Sequence, residues 1–349
     1  MSIYILKRMF SAGSAALFVL GTAFGILFLS YGYNAEASPE LDGFIIIQGE
    51  RFDTGLTSLN LWGRGLTDDD IYPLRYMTNL TDLRLGDNLI SDLTPLSALI
   101  HLTELQLWNN RINDLAPLSE LTDLTVLWLN GNQINDLTPL SGLTDLSVLF
   151  LNRNQITDIT PIRGLVNLTV LYLDENQISD VTPLSGLTKL DRLFLCINQI
   201  NDLTPLSGLT NLTELFLFTN QIDDLSPLSG LTSLKWLNAA NNQINDLAPL
   251  SGLTDLIRLV LSDNPISDLT PLTALTDLNR LQLRGNQISD LAPLSGLTNL
   301  SVIWLERNQI EDLTPLSGLT NLFELRMADN PITDWSPVRH VGDVRGRPR

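Results

Sequence analysis

Cysteine occurs once in these 349 residues, at position 196, so no intrachain disulfide framework can hold the chain together. Histidine occurs only as His101 and His340, which leaves a histidine-based metal site or a catalytic triad few parts to draw on. Basic charge is also short: 21 Lys and Arg stand against 39 Asp and Glu, a net charge of −18. Such a surface repels phosphate backbones, and nucleic acid is not an expected partner. No phosphate loop is present, and no nucleophile stands with a base and an orienting acid. Neither an enzyme nor a cofactor is therefore expected.

One stretch is rich in what the rest lacks. Lys7 and Arg8 precede an apolar run from Phe10 to Tyr33, followed by NAEAS, where Ala35 and Ala37 suit signal-peptidase cleavage after Ala37. The run exceeds the ~7–15 residues of a signal core and is long enough for a spanning helix. Two readings stay open for residues 1–37, a cleaved signal peptide or an uncleaved N-terminal membrane anchor. Both export the remainder, because the positive flank stays in the cytoplasm.

Asparagine recurs at positions 88, 110, 132 and onward to 330, twelve times at a constant step of 22 residues. Alignment on it gives the frame LxxLxLxxNQIxDLxPLSGLT. A looser coil, Leu56 to Met77, precedes these twelve; it is two residues longer and has Arg64 in the asparagine position. Terminal coils of a solenoid are commonly irregular. The expected organisation is a short N-terminal cap at 38–55, with at most a short strand near Phe44 to Ile47. About 13 coils over 56–343 and a disordered basic tail at 344–349 follow.

The spacing dictates the coil. In LxxLxL the last two leucines alternate with free residues, as in a short strand with one buried side, and parallel copies must stack into a ladder. The asparagine ends the strand, where its amide can pair with backbone of the adjacent turn. Proline occupies one place in all twelve aligned coils, Pro95 to Pro337, and Thr or Ser precedes it in nine. That pattern predicts an N-cap hydroxyl followed by proline at the first helical position. Glycine follows so soon, as at Gly142, that only one 3-10 turn fits.

The phrase NQIxDLxPLSGLT, as in Asn132 to Thr144, resembles the 22-residue leucine-rich repeats of bacterial internalins, over about four fifths of the chain. A more distant likeness is to the leucine-rich-repeat subunit that regulates a eukaryotic phosphatase. The resemblance implies an α/β solenoid: a leucine-rich-repeat horseshoe with a parallel β-sheet on its concave face and 3-10 turns on its convex face. It also implies a binding surface without catalytic chemistry, whose concave face engages another protein. Internalins carry a helical cap before the repeats and an immunoglobulin-like domain after them. Ser38 to Gly55 and the tail RHVGDVRGRPR match neither, so wall attachment and host invasion are not implied.

Copies within one chain can be compared with each other. The residue between the last two leucines runs Arg84, Gln106, Trp128, Phe150, Tyr172, Phe194, Phe216, Asn238, Val260, Gln282, Trp304 and Arg326, with five consecutive aromatics. One outward column beside it supplies Val126, Val148, Val170 and Trp236; the other supplies Trp108 and Phe218. Eight aromatics, Trp108, Trp128, Phe150, Tyr172, Phe194, Phe216, Phe218 and Trp236, are thus the expected partner-binding residues. Each ring can bury ~150–250 Å², and together they would exceed the largest apolar patch of an ordinary monomer, ~300–600 Å².

An aspartate follows each asparagine by four residues; without these twelve the net charge would be −6. A calcium column would need ~6–8 oxygens per ion, and one carboxylate per coil suits an Asx turn better. Cys196 reads as a small apolar filler. The expected function is an exported, non-catalytic recognition module that binds a protein or peptide. The competing expectation is a cell-envelope spacer or self-associating scaffold with no specific ligand.

Overall fold

The computed structural model describes residues 43–347 and two short strands before them. Those strands, Leu20–Thr22 and Gly25–Leu27, pair antiparallel. The expected signal or anchor at 1–37 otherwise lies outside the described residues, as do residues 348 and 349. Among the described residues no helix is long and apolar enough to cross a membrane.

From residue 44 onward the chain winds into a solenoid. Fourteen strands form one parallel sheet in strict sequence order, from Ser58–Asn60 to Asp343–Arg345. Each has three residues, and the register steps by the repeat: Leu127 lies opposite Leu149, and Leu149 opposite Leu171. In Val126–Trp128 and Val148–Phe150 the middle residue points inward and is fully buried while its neighbours stay half-buried, as the period of two requires. Within one coil Leu124, Leu127, Leu129, Ile134, Leu137, Leu140 and Leu143 are all at most 1% exposed. Each such side chain contributes about 1.5–3 kcal/mol of burial, which is why a coil this thin can stand.

The asparagines tie coil to coil. Asn132 Nδ2 donates to Leu107 O and Leu129 O, both at 3.0 Å, and its Oδ1 accepts from Ile112 N at 3.0 Å. One side chain therefore bonds three backbone groups, two of them on the preceding coil, and is the acceptor for the buried Ile112 N–H; the two carbonyls are shared with Asn110 and Asn154. Just before each asparagine the chain turns with positive φ. Gly131 adopts this readily, whereas β-branched Ile197 at φ 53° holds it under strain.

The opposite side of each coil is a 3-10 turn, such as Thr138–Leu140. Here the expected cap needs correcting. The threonine hydroxyl does not cap the turn; Thr138 is its first residue, and its N–H donates to Asp136 Oδ1 at 2.8 Å. The same Asx contact occurs at all twelve aspartates, from Asp92 to Asp334. With proline second in the turn, the first residue's N–H is a donor that needs an acceptor, and the carboxylate two residues earlier reaches it. Hydrogen bonds from the side chain and backbone of Thr138 hold the Asp136 carboxyl below its ordinary range.

Both ends depart from expectation. The short strand at Phe44–Ile47 is one arm of a hairpin whose other arm is Glu50–Asp53. Gln48 and Gly49 turn it with φ of 48° and 84°, the pair of positive values that a tight two-residue hairpin turn requires. Ile45 and Ile47 face the core and close it, while Ile46 faces out. At the other end the tail is not disordered from 344. Asp343–Arg345 is the last strand of the sheet, with Val344 packed on the core and Met327 N donating to Arg345 O at 2.9 Å. The 22-residue frame hid it, because this strand follows Glu324–Arg326 after only 19 residues.

Candidate functional site

The outer face of the sheet carries a ladder of rings. Trp128 and Phe150 have centroids 4.7 Å apart, Phe150 and Tyr172 4.4 Å, Tyr172 and Phe194 3.9 Å, and Phe194 and Phe216 4.4 Å. Interplanar angles fall from 37° at Trp128 to 9° at Phe194–Phe216, so the later rings lie nearly parallel. The ladder then changes column: Phe216 meets Trp236 edge-on at 4.6 Å and 63°. The cause is the parallel register, which places these residues directly opposite one another one strand apart, ~4.8 Å, close to the stacking distance of flat rings.

Stacking changes what the ladder offers. Ring faces cover one another, and the rings are half-buried, with Phe216 the most covered at 8% exposure. The open apolar area is therefore smaller than eight isolated rings would give. What faces solvent is a ridge of ring edges, flanked by half-buried Val126, Val148 and Val170.

Three titratable groups border this ridge. Burial pushes the Asp174 carboxyl up to about 6, with nearby Glu175 adding to the rise, and its Oδ1 is buried without a hydrogen-bond partner. Burial also pushes the Cys196 thiol far above its ordinary value; the side chain is 2% exposed, a packed filler and not a reactive thiolate. The Tyr172 hydroxyl is raised by burial and by the charges of Glu214 and Asp174. Among the described residues no group of three His, Cys, Asp or Glu side chains could hold a metal ion.

Two of the eight expected residues stand apart from the ladder. Phe218, half-buried in the outer column, makes no ring pair with it. Trp108 pairs instead with Trp62, at 6.1 Å and 37°. These two tryptophans occupy the same column two coils apart, with Gly86 between them. A Cβ at Gly86 would enter the Trp108 ring, so only glycine lets the indole lie across that coil. Trp62 escaped the sequence reading because the first coil falls outside the aligned frame; the column Trp62, Gly86, Trp108 was the available signal. Gly86→Ala is expected to displace Trp108 and abolish the exciton circular-dichroism signal of this indole pair. An unchanged signal would contradict the pairing.

Comparison with known proteins agrees with this geometry. The family described as Leucine Rich repeats (2 copies) matches residues 100–142, 144–186, 188–230, 232–274 and 276–318. The chain is 35% identical to an internalin (InlF) of Listeria monocytogenes, with a TM-score of 0.83 over 86% of this chain and 91% of that one. A leucine-rich-repeat protein of Leptospira interrogans is 28% identical, with a TM-score of 0.74 over 78% and 74% of the two chains. The functional domain of InlJ from Listeria monocytogenes is 25% identical, with a TM-score of 0.66 over 84% and 73%. No curated protein matches. With the family's repeats matched through most of its length and an internalin aligned over 86% of it, the chain belongs to the leucine-rich-repeat proteins and is a bacterial member of the internalin type.

Proposed function

We propose that this chain is a non-catalytic recognition module, displayed outside the cytoplasmic membrane, that docks a protein or peptide on the open face of its sheet. The observation that carries the reading is the uninterrupted ladder from Trp128 to Trp236. Six rings over five strand intervals make a ridge about 24 Å long, at ~4.8 Å per strand. A sugar would need open ring faces to lie upon, and these faces are taken by neighbouring rings. Open edges flanked by valines suit side chains and backbone carbonyls of a polypeptide, since ring edges carry the positive end of the quadrupole. Export rests on the charged and apolar segment ahead of the repeats, with its cleavage pattern at Ala35 and Ala37.

The tight stacking also favours a second reading, in which the ladder only stiffens the solenoid. One experiment separates the two. Phe150→Glu combined with Phe194→Glu puts two carboxylates on the ridge without touching the leucine core. The recognition reading expects partner capture to fall at least ~10-fold, as for lost hot-spot residues, while circular dichroism stays that of the parent. Equal capture of the same partners by parent and variant would leave the stiffening reading.

A further inference from the structure

We infer that the docking face ends in an anion site: Arg258 and Arg280, with Lys235 and Arg284 beside them, receive carboxylates of an extended segment of the protein partner. This rests on the recognition reading above and names the chemistry of the partner.

The starting point is an imbalance of pairing on the sheet face. Arg84 has Asp82 and Glu104 within 4.0 Å, Arg192 has Asp191 and Glu214, Arg326 has Glu324, and Arg345 has Asp343. Among the described residues Arg258 and Arg280, each first in its strand as Arg192 is, have no carboxylate within that distance, and neither do Lys235 and Arg284. All four are exposed. In a chain of net charge −18, counter-charges are abundant, yet this patch has none in contact.

The register sharpens the point. Arg258 and Arg280 are directly opposite one another on adjacent parallel strands, an arrangement of like charges that destabilises a sheet unless something neutralises it. The patch also continues the ladder: the Arg258 guanidinium lies 4.7 Å from the Trp236 ring centroid, and Trp236 is the last ring. An apolar ridge thus runs into two guanidiniums one and two strands further on.

Length and charge fix the occupant. A ridge of about 24 Å accommodates roughly seven extended residues at ~3.3 Å each, and carboxylates two or three residues further would reach Arg258 and Arg280. Guanidinium forks bind carboxylates bidentately. A long polyanion is disfavoured, because beyond a screening length of ~10 Å it meets the acidic remainder of the surface.

The test uses the full chain and three fluorescein-labelled peptides, each with seven alternating Val and Thr residues, one Gly, then three Glu, three Gln or three Lys. The Glu peptide is expected to bind about 10-fold more tightly than the Gln peptide at low salt, with the Lys peptide weakest; added salt should narrow the gap. Arg258→Ala with Arg280→Ala should erase the Glu advantage and leave binding of the Gln peptide unchanged. Arg258→Lys with Arg280→Lys should retain most of it. Relief of the cross-strand repulsion should keep the alanine variant's melting temperature at or above the parent's, so misfolding would be visible as a fall.

Equal binding of Glu and Gln peptides would overturn the anion site while leaving the ladder as a docking ridge. If Phe150→Glu with Phe194→Glu does not weaken either peptide, the ridge itself is wrong. Absence of binding by all three overturns the inference, and so does displacement of the Glu peptide by polygalacturonate at equal carboxylate concentration.

Discussion

Asn132→Ala should lower the stability of its part of the solenoid by about 4 kcal/mol. The substitution leaves the buried Ile112 N–H without an acceptor, at ~1–3 kcal/mol, and removes two further hydrogen bonds of ~1 kcal/mol each, to Leu107 O and Leu129 O, which keep Asn110 and Asn154 as donors. Repeats contact only their neighbours, so the damage should stay local. Amide hydrogen exchange is expected to accelerate strongly between about residues 105 and 155, and hardly at all beyond residue 240. A uniform loss along the chain, or none, would contradict the account of the asparagine as the tie between coils. Hydrogen exchange is the proper measurement because a long repeat array need not unfold in one step.

Asp174→Asn should act in the opposite direction, and only at neutral pH. The folded chain holds this carboxyl up to about 6, against an ordinary value of 3.8. Between those values the folded state binds the proton more tightly than the unfolded state does. Stability contributed by the protonated form is complete below about 4 and is lost as pH rises through about 6. At pH 7 the ionised group therefore destabilises the fold by up to about 3 kcal/mol, from a difference of roughly two pKa units at 1.36 kcal/mol each. An amide has no charge to desolvate, so the variant's urea midpoint should exceed the parent's at pH 7 and meet it near pH 4. Equal midpoints at both pH values would show that Asp174 is solvated. Three aspartates of successive 3-10 turns behave in the reverse sense. The folded carboxyls of Asp136, Asp158 and Asp180 sit below the ordinary range, so their contribution is present above about pH 4 and fades as acid takes pH lower.

The sheet, the asparagine tie and the proline turn were legible because each is repeated twelve times, and a coil that cannot fold alone must use every fixed residue to join its neighbours. What escaped lay where the frame breaks. The hairpin of Phe44–Ile47 and Glu50–Asp53 turns at Gln48-Gly49, and glutamine is not a residue that advertises a left-handed backbone. The last strand, Asp343–Arg345, shares no LxL with its neighbours and reads as tail; only Val344 marks its buried side. The cap of the 3-10 turn was misassigned to Thr138 because Thr-Pro resembles a helix start. The aspartate two residues earlier, expected to form an Asx turn, is the acceptor.

The candidate site divides in the same way. Trp128, Phe150, Tyr172, Phe194, Phe216 and Trp236 were found as columns, because the 22-residue register converts a repeat position into a spatial neighbour. How those rings tilt was not written in the repeat. Stacking hides their faces, and Trp236 completes the ladder from the adjacent column, edge-on to Phe216. Pairing was equally hidden. Arg192 and Arg258 occupy one column and look alike in sequence, but only Arg192 has a glutamate, Glu214, on the next strand. Arg258 has Arg280 there.

Hydroxyl-radical footprinting of the aromatic side chains, free and with a captured partner bound, tests the docking face most directly. Oxidation of Trp128, Phe150, Tyr172 and Phe194 in the free chain, and their protection in the complex, is the predicted result. Rings that react equally in both states, with protection falling instead on the 3-10 turns around Pro139 to Pro205, would contradict it.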